Sequence, residues 1–152
     1  MSELDLHRNF GKVHALHVAA LTRHLIACRS ACDGDLDLFL VLTIIGERSF
    51  AARNAPSGMS LEDFAERPVS TVRQEAINLQ SIADYSGIPR ETVRRKLGIL
   101  LNRGWVQRDE HGFYAATDQA KDNLSELTKS SLRYLRDMEA AFLTSQKKPA
   151  RQ

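Results

Sequence analysis

The sequence has few of the features that mark several large classes of protein. Its two cysteines, Cys28 and Cys32, are too few for a disulfide framework and fit a reducing compartment. The apolar run from Phe39 to Ile45 is interrupted by Thr43 and falls far short of the ~20 residues that cross a bilayer. The first five residues carry acidic side chains where a secretory signal carries basic ones. We therefore expect a cytoplasmic protein with no membrane segment.

The sequence also lacks the patterns that carry most enzyme chemistry. It has no glycine-rich phosphate loop, no serine in a nucleophile elbow and no paired-carboxylate motif. No second pair of ligand-type residues follows the cysteines at the spacing of a structural zinc site. We therefore expect no catalytic activity, no bound metal and no cofactor.

What is present is the composition of one globular domain. The chain has 152 residues, of which 43% are hydrophobic and 26% are charged, so it can bury a single core. Helical spacing of apolar residues and the positions of glycine and proline divide the chain into five segments. These are N-terminal dimerisation helices at 1–52, a connector at 53–76, a helix-turn-helix with a wing at 77–116, a C-terminal dimerisation helix at 117–146 and a flexible tail at 147–152.

Long helices are predicted at both ends of the chain. The first runs from Leu4 to about Ala31, and a second, largely buried one runs from Leu36 to about Ala52. A last helix begins at Thr117 or Asp118, and its length of ~28 residues, or ~42 Å, exceeds that of a small domain. Its apolar stripe consists of Leu124, Leu127, Ser131, Tyr134, Met138 and Ala141. Such a stripe needs a partner helix, so we expect a homodimer.

The middle of the chain predicts two short helices followed by a β-hairpin. A helix from Leu79 to Tyr85 ends at Gly87, and Pro89 opens the next one. The second helix has an inward face of Val93, Leu97, Leu100 and Leu101. Strand-like runs at Trp105–Arg108 and Phe113–Ala116 flank a four-residue connection. The fold class expected is therefore mainly α, a winged helix-turn-helix with a small hairpin wing.

Positive charge is concentrated on this second helix and the residues after it. Between Arg90 and Arg108 six basic residues accompany one acidic residue, a local charge of +5 against +2 for the whole chain. With the apolar face inward, the polar face can enter a major groove, where arginine pairs with guanine and glutamate accepts from cytosine. We expect base reading by Arg90, Glu91, Arg94 and Arg95. We expect contacts to the DNA backbone from Thr92, Lys96, Arg103, Arg108 and His111.

Two family resemblances accompany this pattern. The run Ser86–Arg95 resembles the helix-turn-helix of the catabolite-activator family of bacterial transcription regulators, which implies base contacts by Arg90, Glu91 and Arg95 and a backbone contact by Thr92. The overall layout, with helices before and after a winged helix, is similar to the MarR family of dimeric regulators. Thr117–Ala120 also resembles that family's entry into its last helices. Both resemblances imply a transcription regulator that binds double-stranded DNA.

Two alternatives remain open. A winged helix can serve only as a protein-interaction module, and salt-dependent DNA binding distinguishes the two roles. The first helix also carries ligand-type side chains within an arc of ~100°. They are His7, His14, His17, His24, Cys28 and Cys32. His24, Cys28 and Cys32 are each one turn apart, so they could hold a metal or sense an oxidant, or they could simply pack at a helix interface.

The sequence therefore predicts a transcription regulator that binds DNA sequence-specifically. A homodimer would place two recognition helices about one DNA turn, ~34 Å, apart and read a pseudo-palindromic operator. A small-molecule effector, if one exists, would bind between the dimer helices and the winged domains, but no residue identifies it.

Overall fold

A computed structural model of the chain describes residues 3–51, 54–71 and 74–146. In chain order the helices are α1 (Glu3–Arg8), α2 (Phe10–Ala31), α3 (Leu36–Ser49), α4 (Leu61–Glu66), α5 (Leu79–Ser86), α6 (Arg90–Asn102), α7 (Asp118–Asn123) and α8 (Ser125–Gln146). A 3-10 turn lies at Val69–Thr71, and the strands are β1 (Val106–Arg108) and β2 (Tyr114–Ala116). The tail predicted at 147–152 and the helix end predicted at Ala52 lie outside the described residues.

The chain forms two compact units. Among the described residues, the first combines residues 3–31 with residues 126–146, and the second lies within residues 32–125. We call them the terminal-helix unit and the winged-helix unit. The predicted grouping of residues 1–52 differs from this division, because α3 packs against α5, α6 and β2 in the winged-helix unit. Its two-sided apolar sequence fits a helix at the centre of a core rather than at an outer interface.

The core of the winged-helix unit is built from the inward faces of α3, α5 and α6. Ile45, Ile82 and Leu97 are among its fully buried side chains. Asp35 caps the start of α3 by accepting a hydrogen bond from the backbone N–H of Leu38 at 2.9 Å. At the other end of α3, the buried Ser49 hydroxyl accepts from the N–H of Ala116 at 2.8 Å. This bond ties the three-helix core to the sheet.

The wing is an antiparallel hairpin in which Gln107 lies opposite Ala115. The sequence predicts this hairpin, and the structure adds an isolated bridge to it that the sequence does not predict. Asn78 forms an antiparallel bridge with Phe113, and the N–H of Tyr114 donates to the carbonyl of Ile77 at 2.8 Å. The residues just before α5 therefore hold the wing against the helices.

The described part of the connector between α3 and α5 contains the short helix α4. A capping box begins α4, because Ser60 and Asp63 each accept from the other's backbone N–H at 3.0 Å. The segment that follows is fixed to α7, since Asp118 accepts from the N–H of Val69 at 2.8 Å and Lys121 donates to the carbonyl of Arg67 at 2.7 Å. Residues 54–71 thus belong to the winged-helix unit.

The terminal-helix unit packs α2 against α8. Its small apolar core consists of Ala20, Met138 and Ala141, with Tyr134 and Phe142 packed against it. Polar contacts line the same seam. Three pairs connect the two helices: His17 Nδ1 with the Tyr134 hydroxyl at 3.1 Å, His24 Nδ1 with the Ser130 hydroxyl at 3.2 Å, and Arg23 with Asp137 at 3.0 Å. Of the predicted stripe, Met138 and Ala141 are buried.

Two predicted helices are interrupted in the structure. The helix expected from Leu4 to Ala31 divides at Asn9 into α1 and α2. The helix expected from Thr117 onward divides at Leu124, so that α7 belongs to the winged-helix unit and most of α8 to the other. The side chain of Leu124 packs against the core of the winged-helix unit, which explains why the chain turns there. No described helix is long and apolar enough to span a membrane.

Candidate nucleic-acid interface

The turn between α5 and α6 fixes the orientation of the second helix. Asn78 caps α5 by accepting from the N–H of Ser81 at 2.9 Å. Gly87 ends α5 in the left-handed conformation, with φ of 72°, and its N–H donates to the carbonyl of Ala83 at 2.9 Å. Glycine adopts this conformation without the steric strain that a Cβ brings. Pro89 then precedes the first turn of α6 with φ of −53°. Gly87 at the end of α5 and Pro89 at the start of α6 therefore act as the sequence predicts.

One face of α6 is buried and the opposite face is exposed. Val93, Leu97 and Leu100 point into the core, as predicted. Leu101, also predicted to face inward, is 37% exposed, because it lies beyond the edge of the buried stripe. The four predicted base readers Arg90, Glu91, Arg94 and Arg95 are all exposed. The structure therefore presents them together on one surface, which we call the α6 polar face.

Two of these residues bind each other. The Nε of Arg94 donates to Oε2 of Glu91 at 2.9 Å, and its Nη2 donates to Oε1 at 2.6 Å. This hydrogen-bonded pair lowers the pKa of the Glu91 carboxyl and raises that of the Arg94 guanidinium. Arg95 Nη2 lies 3.5 Å from the Thr92 hydroxyl. The Arg90 side chain makes no hydrogen bond within the described ranges.

Two of the predicted backbone-contact residues, Lys96 and Arg103, form ion pairs with acidic residues that no local sequence pattern indicates. Lys96 Nζ donates to the carboxylate of Asp35, and its side chain is only 18% exposed. Burial alone would raise the pKa of the Asp35 carboxyl, but hydrogen bonds from Lys96 and from the N–H of Leu38 lower it overall. Arg103 donates to Asp33 at 2.5 Å and lies over the Trp105 ring. The two acids lie at the ends of the turn Asp33–Asp35, directly before α3.

The remaining predicted backbone contacts lie on the wing and on α6. Arg108, at the end of β1, has its guanidinium 5.8 Å from the centre of the Tyr114 ring. His111 is exposed at the tip of the wing, with Nε2 3.4 Å from a carboxylate oxygen of Glu110. Thr92 is half-buried on the first turns of α6. Their contacts with DNA stay predictions.

The histidine and cysteine residues near the N-terminus do not form a common site. Cys28 Sγ lies 3.6 Å from His24 Nε2, but Cys28 is fully buried and burial raises the pKa of its thiol, which disfavours the reactive thiolate. Cys32 is part of the apolar core of the winged-helix unit. Within the described ranges, no three histidine, cysteine or acidic residues are arranged to hold a metal ion.

A comparison with known protein families bears directly on this region. Residues 69–110 match the IclR helix-turn-helix domain. The match covers the 3-10 turn, both helices of the α5–α6 pair and the first strand of the wing. It supports a DNA-binding transcription regulator, as the sequence predicts. The predicted resemblances to the catabolite-activator and MarR families are not confirmed.

Two further comparisons give no relative of the whole chain. Neither the curated proteins nor the solved structures contain a significant match. The functional conclusion therefore rests on the IclR-type helix-turn-helix domain, the hairpin wing beside it and the residues of the α6 polar face.

Proposed function

We propose that the protein is a homodimeric transcription regulator that reads a pseudo-palindromic DNA site with the α6 polar face of each copy. The observation that carries the proposal is the exposure of three arginines on the outer face of the second helix in an IclR-type helix-turn-helix domain. Arginine presents a rigid fork of donors that fits the O6 and N7 atoms of guanine. A regulator of this kind acts in the compartment that holds the DNA, which agrees with the expected cytoplasmic location.

The roles of the residues follow from their positions on α6. Arg90 and Arg95 carry charges that no described carboxylate pairs by a hydrogen bond, so they are the first candidates for guanine contacts. Thr92, Arg108 and His111 would contact phosphates from the helix and the wing. Lys96 and Arg103 would reach phosphates only after leaving Asp35 and Asp33, which makes them weaker candidates than their sequence positions indicate.

The proposed dimer rests on a second apolar surface of the terminal-helix unit. Besides the side chains that meet in its core, α2 exposes Leu16, Val18, Leu25 and Ile26. The outer side of α8 exposes Leu132, Leu135 and Leu143. A helix that is apolar on more than one side is normally buried on more than one side. Since one pair of long helices cannot by itself enclose a hydrophobic core, a second copy of the same unit is the occupant we propose.

Selection from a random pool of DNA duplexes tests the proposed function. The purified protein is incubated with the pool at ~0.15 M salt, where non-specific binding is weak, and the retained DNA is sequenced. We expect a motif of two inverted half-sites whose centres are about ten base pairs, one DNA turn, apart. Retention without an enriched motif would reduce the function to electrostatic DNA binding. No retention would favour a protein-interaction module.

Arg95→Ala then tests base reading at a single residue. We expect it to lower affinity for the selected site by ~1 to 3 kcal/mol and to relax one position in each half-site. Arg133→Ala on α8 is the matched control, because it removes the same charge from an exposed helix outside the α6 polar face. An equal loss of affinity on every sequence would show that Arg95 contacts a phosphate instead.

A further inference from the structure

Glu91 is the only acidic residue of α6, and its carboxylate is hydrogen-bonded within the helix. Its side chain is 66% exposed, yet both of its carboxylate oxygens accept hydrogen bonds from Arg94, one turn further along the helix. Such a two-bond arrangement fixes the plane and direction of a carboxylate, which a single contact does not. The pair therefore behaves as one structural element on the α6 polar face.

The geometry leaves the Glu91 carboxylate able to accept a hydrogen bond from DNA while Arg94 holds it. Each carboxylate oxygen offers two lone-pair directions, and Arg94 uses one on each oxygen. The remaining directions suffice for the N4 amino group of cytosine, the base edge that glutamate recognises in the major groove. Arg94 is constrained in the opposite sense, because Glu91 already occupies the edge formed by its Nε and Nη2, which leaves only the Nη1–Nη2 edge for another acceptor.

We propose that Arg94 is a positioning residue that orients the Glu91 carboxylate for one base pair and does not itself read a base. The proposal rests on the proposed function, since it concerns how the α6 polar face recognises DNA. It also changes the sequence-based interpretation, in which Arg94 and Glu91 are independent readers. Three residues of the face then contact bases, Arg90, Glu91 and Arg95, and the fourth acts through Glu91.

Two physical effects give Arg94 this role. Its fork limits the rotamers of Glu91, so the glutamate loses less conformational freedom when it meets the base. Its charge also compensates the carboxylate, which would otherwise be repelled by the phosphates that flank the groove. The pairing lowers the pKa of the Glu91 carboxyl, in agreement with a glutamate that stays an acceptor.

Selection from the random duplex pool, repeated with variants, tests the proposal. Wild type is compared with Glu91→Gln, Arg94→Gln, the double variant and Arg94→Lys, with Arg133→Gln as the charge-matched control on α8. Affinities for the wild-type motif are then measured over a range of salt concentrations. Circular dichroism confirms that each variant is folded, as expected for substitutions at exposed positions.

We expect Glu91→Gln and Arg94→Gln to lose preference at the same base pair, each with about a tenfold loss of affinity for the wild-type motif. The double variant should lose little more than either single one, because the two residues act as a unit. Arg94→Lys should restore the salt dependence without restoring the preference, since an ammonium cannot hold both oxygens. Arg133→Gln should select the wild-type motif.

Other outcomes overturn the proposal in distinguishable ways. A change at a different base pair in Arg94→Gln would make Arg94 a reader of its own. A uniform loss of affinity on all sequences with a reduced salt slope would make Arg94 a phosphate contact. Full recovery of the base preference in Arg94→Lys would show that Arg94 acts only by compensating the charge of Glu91. An unchanged motif in Glu91→Gln would remove Glu91 from the readout. If wild type enriches no motif, the proposed function itself fails, and this inference fails with it.

Discussion

Asp35 performs two tasks that substitution can separate. It caps α3 through the N–H of Leu38, and it accepts a hydrogen bond from Lys96 of α6. Asparagine can still cap a helix but cannot form the ion pair, whereas alanine can do neither. We therefore expect Asp35→Ala to lower the free energy of unfolding by about 1 kcal/mol more than Asp35→Asn does. Urea unfolding at pH 7 measures both, and equal losses would show that the cap contributes little.

The same residue predicts a dependence of stability on pH. The pKa of Asp35 is lower in the folded protein than the usual value of about 3.9 in an unfolded chain. Its contribution is therefore complete above that value and is lost as the pH falls through the lower folded value. We expect the stability difference between wild type and Asp35→Asn to shrink below about pH 4. Lys96→Met should give the same trend, and a difference that is constant with pH would contradict the ion pair.

Among single elements, the α5–α6 turn depends on a glycine. Gly87 has φ of 72°, and a Cβ built there meets no atom within 4 Å, so only backbone strain opposes substitution. We expect Gly87→Ala to destabilise the protein by about 1 kcal/mol. Gly46, inside α3, is the matched control, because it also has open space but lies in a helix.

The control should respond with the opposite sign. Gly46→Ala is expected to stabilise by about 0.5 to 1 kcal/mol, since alanine loses less backbone freedom in a helix. Thermal unfolding of both variants measures the difference. Destabilisation by both substitutions would indicate that packing, not backbone conformation, determines the effect of alanine on stability at these positions.

How far the sequence predicts each element depends on how local its cause is. The helix end at Gly87, the start of α6 at Pro89 and the hairpin wing are confirmed, because each is set by residues within a few positions. The bridge between Asn78 and Phe113 was not predicted, since the two residues are far apart in sequence. The break at Leu124 was missed for a similar reason, because that side chain packs against a core that the periodicity does not reveal.

The candidate site shows the same distinction. The exposure of Arg90, Glu91, Arg94 and Arg95 follows from helix periodicity, so the sequence predicts the α6 polar face correctly. The ion pair of Lys96 with Asp35 joins residues that are distant in the chain, and no local pattern indicates it. The pairing of Glu91 with Arg94 can be predicted from the sequence, since residues three apart on a helix are neighbours.

At the scale of the whole molecule, the proposed dimer predicts how DNA binding depends on assembly. Ile26 of α2 and Leu135 of α8 are 61% and 60% exposed in the isolated chain, so a charge at either position should not disturb the fold of one copy. If these residues meet a second copy, glutamate would bury an unpaired charge in the interface. We therefore expect Ile26→Glu and Leu135→Glu to sediment as monomers at concentrations where wild type is a dimer. Leu61→Glu on α4 is the matched control and should remain dimeric.

The dimer variants also separate assembly from recognition. Each monomer retains an intact α6 polar face, so its affinity for a DNA duplex with a single half-site should equal that of wild type. Affinity for two inverted half-sites should fall by ~100-fold or more, because joining two binding units makes the second contact intramolecular. Titration of both duplexes by fluorescence anisotropy at ~0.15 M salt measures the ratio, at a salt concentration where specific contacts dominate. A wild-type protein with the same affinity for one half-site as for two would contradict the palindromic dimer while leaving base reading by α6 intact.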